Sequence, residues 1–184
     1  MDRGADSYRR FLDGDDRGLA EIIAQYNTGL TLFLNSFVND LAAADELSED
    51  TFVKLGVKKP RFSGKSSFKT WLYAIGRNLA VDYLRDASKH PALSAEDCAE
   101  LAGEDVAEAE FFREERKRIL HRAMHGLKPD YRQVLWLTYF EALSAKEAAA
   151  VMGRSAHSVE NLVSRARQAL RTALDQEGFD DEDL

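Results

Sequence analysis

Apolar residues recur along this chain at intervals of three and four, the period of an amphipathic α-helix. No segment sustains the two-residue alternation of a half-buried strand. Leu19, Ile22, Ile23 and Tyr26 open the series, and Leu30, Phe33, Leu34, Phe37, Val38 and Leu41 continue it in the next segment. Leu47, Phe52 and Leu55 stripe a third helix whose other face carries Asp45, Glu46, Glu49 and Asp50. Lys59-Pro60 breaks that helix, because the residue before proline avoids the helical region. Phe62-Ser63-Gly64-Lys65 reads as a loop, and Ser66 or Ser67 caps the helix after it. That fourth helix aligns Phe68, Leu72, Ile75 and Leu79, sets Trp71 beside them, and runs to about Asp86.

His90-Pro91 closes this first block. From Ala92 to Glu110 the chain is rich in Ala, Glu and Asp and poor in large apolar residues, as a linker is. A second block begins near Phe111, with Phe112, Ile119 and Leu120 as its first apolar stripe. Gly126-Leu127-Lys128-Pro129 is a turn with proline near a helix start. Tyr131, Val134, Leu135, Thr138 and Tyr139 predict the helix that follows. Ser144 with Glu147 matches a capping box, and Gly153 supplies a turn residue of positive φ. Ser155 caps a last helix burying Val159, Leu162 or Val163, Ala166 and Leu170. The reading is all-α. Two small helical domains, 8–88 and 110–174, are joined by an acidic linker at 89–109, and an acidic tail follows at 175–184. The second domain contains a helix-turn-helix whose last helix is the right size for a DNA major groove.

Charge sharpens this division. The net charge of -7 looks unfavourable for nucleic acid, but it is an average. Lys54 to Lys89 holds nine basic residues against Asp82 and Asp86, a local charge of +7. Ser94 to Glu115 holds nine acids against Arg113, and Asp175 to Leu184 carries six acids and no base. Phosphate affinity follows local charge density, so a basic segment beside acidic ones is compatible with a nucleic-acid surface. The acids of the linker and tail then compete with DNA, and the free chain is expected to bind duplex DNA poorly.

Other chemistries find little support. The single cysteine, Cys98, lies among Glu96, Asp97 and Glu100, which disfavours a thiolate; it permits no internal disulfide and fits a reducing cytoplasm. His90, His121, His125 and His157 lack zinc-site spacing, so no metal is expected. No phosphate-cradling glycine loop, nucleophile elbow or calcium loop appears, so no catalytic residue and no cofactor is assigned. The acids at 45–50 read as a solvated or protein-binding face. No run of about 18 apolar residues predicts a membrane span, and the polar N-terminus lacks a secretory core. The segment from Arg61 to Arg85 interleaves cations with Phe62, Phe68, Trp71 and Tyr73, a combination that grips single strands. Phe68 starts the apolar stripe and reads as core, whereas Phe62, in a polar loop, is a candidate contact.

In order and spacing these motifs resemble the bacterial RNA polymerase sigma factors of the short, extracytoplasmic-function type, over roughly Leu12 to Leu174. Asp45-Glu46-Leu47-Ser48-Glu49-Asp50-Thr51-Phe52 is similar to the family's polymerase-docking helix. The resemblance implies that Asp45, Glu46, Leu47, Glu49, Asp50, Phe52 and Leu55 bind the core enzyme. Phe62-x-Gly64-x-Ser66-Ser67-Phe68-x-Thr70-Trp71-Leu72, then Ile75-x-Arg77-Asn78-x-Ala80-x-Asp82, resembles the family's -10 reader, a loop pocket for a flipped base followed by a strand-contacting helix. Arg61, Phe62, Ser63, Gly64, Lys65, Trp71, Arg77 and Asn78 inherit that role. The Leu127-Lys128-Pro129 turn and the helix-turn-helix resemble the -35 domain, implying contacts from Arg154, Ser155, His157, Ser158, Glu160, Asn161, Arg165 and Arg167.

Two departures stand out. Thr28 to Asn39 lacks the arginines many members carry there, and Glu160 and Leu162 replace basic residues of the recognition helix. Glutamate accepts from cytosine N4, asparagine pairs with adenine, and leucine offers a thymine methyl only apolar contact. The implied function is promoter-specific initiation with core polymerase and promoter DNA as partners. An anti-sigma factor is a further candidate partner. The competing readings are a helix-turn-helix regulator independent of polymerase, and a polymerase- or anti-sigma-binding module with weakened DNA reading.

Overall fold

The computed structural model describes residues 2–89 and 118–177. The expected linker, with Cys98, His90-Pro91, Phe111 and Phe112, and the end of the acidic tail lie outside the described residues. Helix α1 spans Arg3–Leu12, α2 Arg17–Val38, α3 Leu41–Lys58 and α4 Phe68–Lys89. Residues 118–125 are helical and are called α5. Then α6 runs Pro129–Leu135 and passes into a π-helical turn at Trp136–Phe140. Helices α7, Ala145–Met152, and α8, Ala156–Gln176, form the helix-turn-helix. No strand occurs among the described residues.

Capping side chains set most of these boundaries. Asp2 accepts the Ala5 amide at the start of α1 (3.3 Å), and its other oxygen accepts the Phe68 amide at the start of α4 (2.6 Å). One carboxylate therefore joins the N-terminus to the fourth helix. Gly4 permits this approach, since a Cβ there would lie 2.5 Å from Phe68 Cδ1. Accordingly α1, which begins at Arg3, packs against α2 and α4. Asp40 caps α3, and Ser67 accepts the Thr70 amide in the first turn of α4. At Ser144 both halves of the capping box form, and Gly153 takes φ +64°.

Two expectations of the periodicity are corrected. The stretch read as two segments is one continuous α2, because neither glycine nor proline interrupts it strongly enough to stop packing. Leu41 and Tyr139 are exposed rather than buried, since Leu41 opens α3 and Tyr139 lies within the widened π turn. In that turn the Glu141 amide reaches back to the Trp136 carbonyl (3.1 Å), and Trp136 stacks on Phe140 with centroids 4.4 Å apart. The extra residue rotates later side chains off the helical stripe that the sequence suggests.

One continuous core runs through both halves. Ile22, Leu30, Phe33, Leu34, Leu55, Phe68, Leu72 and Tyr73 fill the first, and Val134, Leu135, Leu137, Ala148, Val151 and Val159 fill the second. Burial of each Val, Leu, Ile or Phe among them contributes about 1.5–3 kcal/mol relative to exposure. The halves meet where α4 packs on α7 and α2 on α6. Arg132, itself buried, donates to the Ser36 carbonyl of α2 (2.5 Å) and to the His125 and Leu127 carbonyls (2.8 and 2.7 Å). Three backbone acceptors satisfy a buried guanidinium whose pKa burial pushes down.

Candidate nucleic-acid and polymerase interface

Three surfaces carry the charged motifs. On α3, Asp45, Glu46, Glu49 and Asp50 are exposed, while Leu47, Phe52 and Leu55 are turned into the protein's own core. The implied polymerase contact therefore divides. Leu47, Phe52 and Leu55 cannot present side chains to a partner; they fix the angle at which the acids stand out. Val53 and Val57, 58% and 71% exposed, extend the outward stripe of Glu46, Glu49 and Asp50 by two further turns. They were missed because isolated valines in an acidic helix read as fragments of the core pattern, although their spacing of seven and eleven from Glu46 places them on the outward face.

The loop before α4 is pinned at one end and open at the other. Phe62 packs edge-on against Phe68 (centroids 5.6 Å apart) and lies 5.1 Å from Trp71, while Trp71 lies 5.4 Å from Tyr8. Both Phe62 and Trp71 are thus half-buried members of an aromatic cluster, not free stacking platforms. Tyr8 donates to the Pro60 carbonyl (2.7 Å), which ties the loop's start to α1, and burial pushes its phenol up to about 12. Beyond this anchor Arg61, Ser63, Gly64 and Lys65 are exposed, with Gly64 at φ +69° over open space. Phe68 is fully buried, as its place on the stripe requires.

Along α4 the remaining groups differ in freedom. Asn78 is exposed. Arg77 is half-buried and donates from Nε to Gln133 (3.0 Å). Burial lowers its pKa, nearby Asp130 opposes that, and Arg154 reinforces it. Lys69, absent from the expected set, bridges to Glu141 (2.6 Å) and also donates to the Glu141 carbonyl.

On α8 the first turns face outward. Ser155 accepts the Ser158 amide as N-cap (3.2 Å). Arg154, Ser155, His157, Ser158, Asn161, Leu162 and Arg165 line one shallow groove, with Leu162 half-buried against the core. Within it Asn161 and His157 are hydrogen-bonded side chain to side chain (3.1 Å), and Glu160, outside the lining, stands 4.0 Å from His157 Nδ1. Arg154 pairs with Asp130 of α6. Arg167 is exposed outside the groove. The chemistry available is therefore a mixed polar edge of one amide, one carboxylate, one imidazole and flanking guanidiniums.

No helix among the described residues is long and apolar enough to cross a membrane. Nor does any group of His, Cys, Asp and Glu among them gather as a metal would require; the His121 and His125 rings simply lie 4.9 Å apart.

Comparison with known proteins agrees with this layout. The family model for sigma-70 region 2 matches residues 22–90, and that for sigma-70 region 4 matches residues 117–170. The chain is 30% identical to the ECF RNA polymerase sigma factor SigM of Bacillus subtilis, covering 88% of this chain and 98% of that one. It is 31% identical to the ECF RNA polymerase sigma factor SigC of Mycobacterium tuberculosis, over 85% and 83% of the two chains. Among solved structures, CnrH in complex with the cytosolic domain of CnrY superposes with a TM-score of 0.63 at 26% identity, covering 95% of this chain and 97% of that one. The sigma factor RpoE of Bartonella quintana, in complex with the anti-sigma factor NepR, shares the fold, with a TM-score of 0.65 at 24% identity over 85% and 96%. Helices, capped turn and charged faces thus converge with the sequence relationships: the chain belongs to the extracytoplasmic-function family of RNA polymerase sigma factors, which direct promoter-specific transcription initiation.

Proposed function

We propose how this sigma factor divides its work among the three surfaces. Asp45, Glu46, Glu49 and Asp50, extended by Val53 and Val57, dock on the core polymerase. The loop tip Arg61, Ser63, Gly64 and Lys65, with Arg77 and Asn78 of α4, holds the opened -10 strand, while Phe62 and Trp71 support the loop from beneath. The groove residues Arg154, Ser155, His157, Ser158 and Asn161, with Glu160 beside His157, read the -35 duplex, and Arg165 and Arg167 serve its phosphates. Residues 8–88, together with α1, form the first unit and 110–174 the second. The chain works by binding rather than bond-making, and acts in the cytoplasm, where polymerase and promoter are found. An anti-sigma factor is a fitting partner, since the RpoE structure, which shares this fold, is a complex with the anti-sigma factor NepR.

The observation that carries this reading is the outward stripe of α3. Four acids and two valines stand exposed on a helix whose other face is fully packed. The loop tip and the α8 groove add the two DNA contacts, since Arg61 and Lys65 are exposed on the loop and Arg165 and Asn161 are exposed on the groove. Capturing a base that is already unpaired costs only a few kcal/mol, so a rigid loop suffices at -10. Mapping transcription start sites after overexpression tests the assignment. A shared pair of upstream elements is expected, and starts that share only one element would remove one of the two DNA surfaces.

A further inference from the structure

The groove of α8 is built around one amide. Ser158, Asn161 and Arg165 follow at helical spacing, share one face and line the groove together with Arg154. Asn161 stands in the middle of that row, exposed, but its side chain is not free to turn. Its Nδ2 donates to Nε2 of His157, one turn earlier (3.1 Å). In a neutral imidazole Nε2 accepts only when the ring proton sits on Nδ1. Glu160 favours that tautomer, because its carboxylate lies 4.0 Å from Nδ1. That distance is too long for a hydrogen bond, so the attraction is electrostatic. Carboxylate, imidazole and amide thus form an ordered row in which each group orients the next.

We propose that His157 is a positioning residue that sets the Asn161 amide to read adenine in the -35 duplex, with Glu160 acting through the ring rather than on a base. The proposal rests on the reading of the α8 groove as the -35 surface. A side-chain amide has two N–H bonds. The ring takes one, and the other remains beside Oδ1 as a paired donor and acceptor. Adenine shows the matching pair in the major groove, the N7 acceptor next to the N6 donor. Guanine shows two acceptors there, and its O6 would face Oδ1. Cytosine can satisfy only Oδ1, and thymine only the N–H. Turned over, the amide would place its N–H where the N6 donor stands, and the match would fail. An asparagine without the ring takes both rotations, whereas one held in advance loses less freedom on binding. Glu160, a charge that repels phosphate, has its use here in keeping the proton on Nδ1.

Core polymerase loaded with the full-length chain is given a duplex library randomised across the upstream element of a mapped promoter, and the bound sequences are read. One upstream position is expected to prefer adenine about tenfold, within the range of a bidentate base contact. Asn161→Ala removes the preference at that position alone, and Asn161→Asp turns it toward cytosine, whose N4 a carboxylate accepts. His157→Ala removes it as well. His157→Gln restores it, because the glutamine oxygen reaches the place of Nε2, whereas His157→Asn does not. Thermal unfolding of these variants stays unchanged, since both positions are exposed. An adenine preference that survives His157→Ala overturns the proposal, as does a His157→Gln variant that behaves like His157→Ala. If Asn161→Ala changes no base preference while Arg165→Ala weakens upstream selection, the amide reading falls and the -35 reading stands. If Asn161→Ala, Arg165→Ala and Arg167→Ala all leave upstream selection intact, the -35 reading falls and takes the proposal with it.

Discussion

Helices α3 and α4 are neighbours of similar length in one bundle, and their charged faces have opposite fates. The acids of α3 stand in solvent above an inward stripe of Leu47, Phe52 and Leu55. The cations of α4 nearest the second domain are already engaged, Lys69 by Glu141 and Arg77 by Gln133. Sequence pattern alone does not separate the two cases, because each reads as an amphipathic helix with a charged face. A face that waits for a partner differs from one already satisfied only through chain segments more than fifty residues away.

Removing the support under either face should break the comparison most severely. Phe68→Ala deletes the ring shared by Tyr8, Tyr26, Phe62 and Trp71. It is expected to cost about 3–5 kcal/mol in urea unfolding. Leu55→Ala, under the acidic face, is expected to cost about 2–5 kcal/mol. Losses below about 1 kcal/mol would mean that neither face is rigidly held.

The outward face of α3 should behave in the opposite way. Glu49→Lys combined with Asp50→Lys is expected to change stability by no more than about 1 kcal/mol for two exposed positions. Affinity for core polymerase should fall about a hundredfold in a competition assay, since opposed charge at a docking surface costs several kcal/mol. Unaltered affinity would assign the face to something else.

Smaller effects sharpen the account of the second domain. Ser144→Ala removes half the capping box and is expected to cost about 1 kcal/mol by thermal unfolding. Glu147 gives a pH signature. Hydrogen bonds from Ser144, first from its hydroxyl and then from its backbone amide, hold this carboxyl below its ordinary value of 4.5. A depressed folded pKa stabilises fully above 4.5, and that stabilisation is lost as pH falls through the lower folded value. Glu147→Gln should therefore flatten the acid limb of a stability-versus-pH curve, with little dependence left below 4.5 beyond that of the other carboxylates. An unchanged limb would show that the bonds do not persist in solution.

Much of this molecule was legible before its structure. The all-α class, the break at Lys59-Pro60, the Ser144 box, the Gly153 turn and the buried Phe68 all depend on signals within a few residues. Sequence reasoning failed where distant segments decide. Phe62 looks like a free aromatic in a polar loop, yet Phe68 and Trp71 hold its ring. Leu47, Phe52 and Leu55 carry a docking motif but serve the core. The π turn at Trp136–Phe140 has no composition signature, and it moved Tyr139 to the surface. Lys69 was passed over because its partner, Glu141, lies across the domain boundary.

Reconstituted transcription tests the central claim most directly. Core polymerase and this chain would be given a library of genomic promoter fragments, and 5′ ends of the transcripts mapped. Discrete starts, lost with the α3 charge reversal and restored with the unaltered chain, are predicted. Starts no different from those of core polymerase alone, with the chain bound to the enzyme, would contradict it.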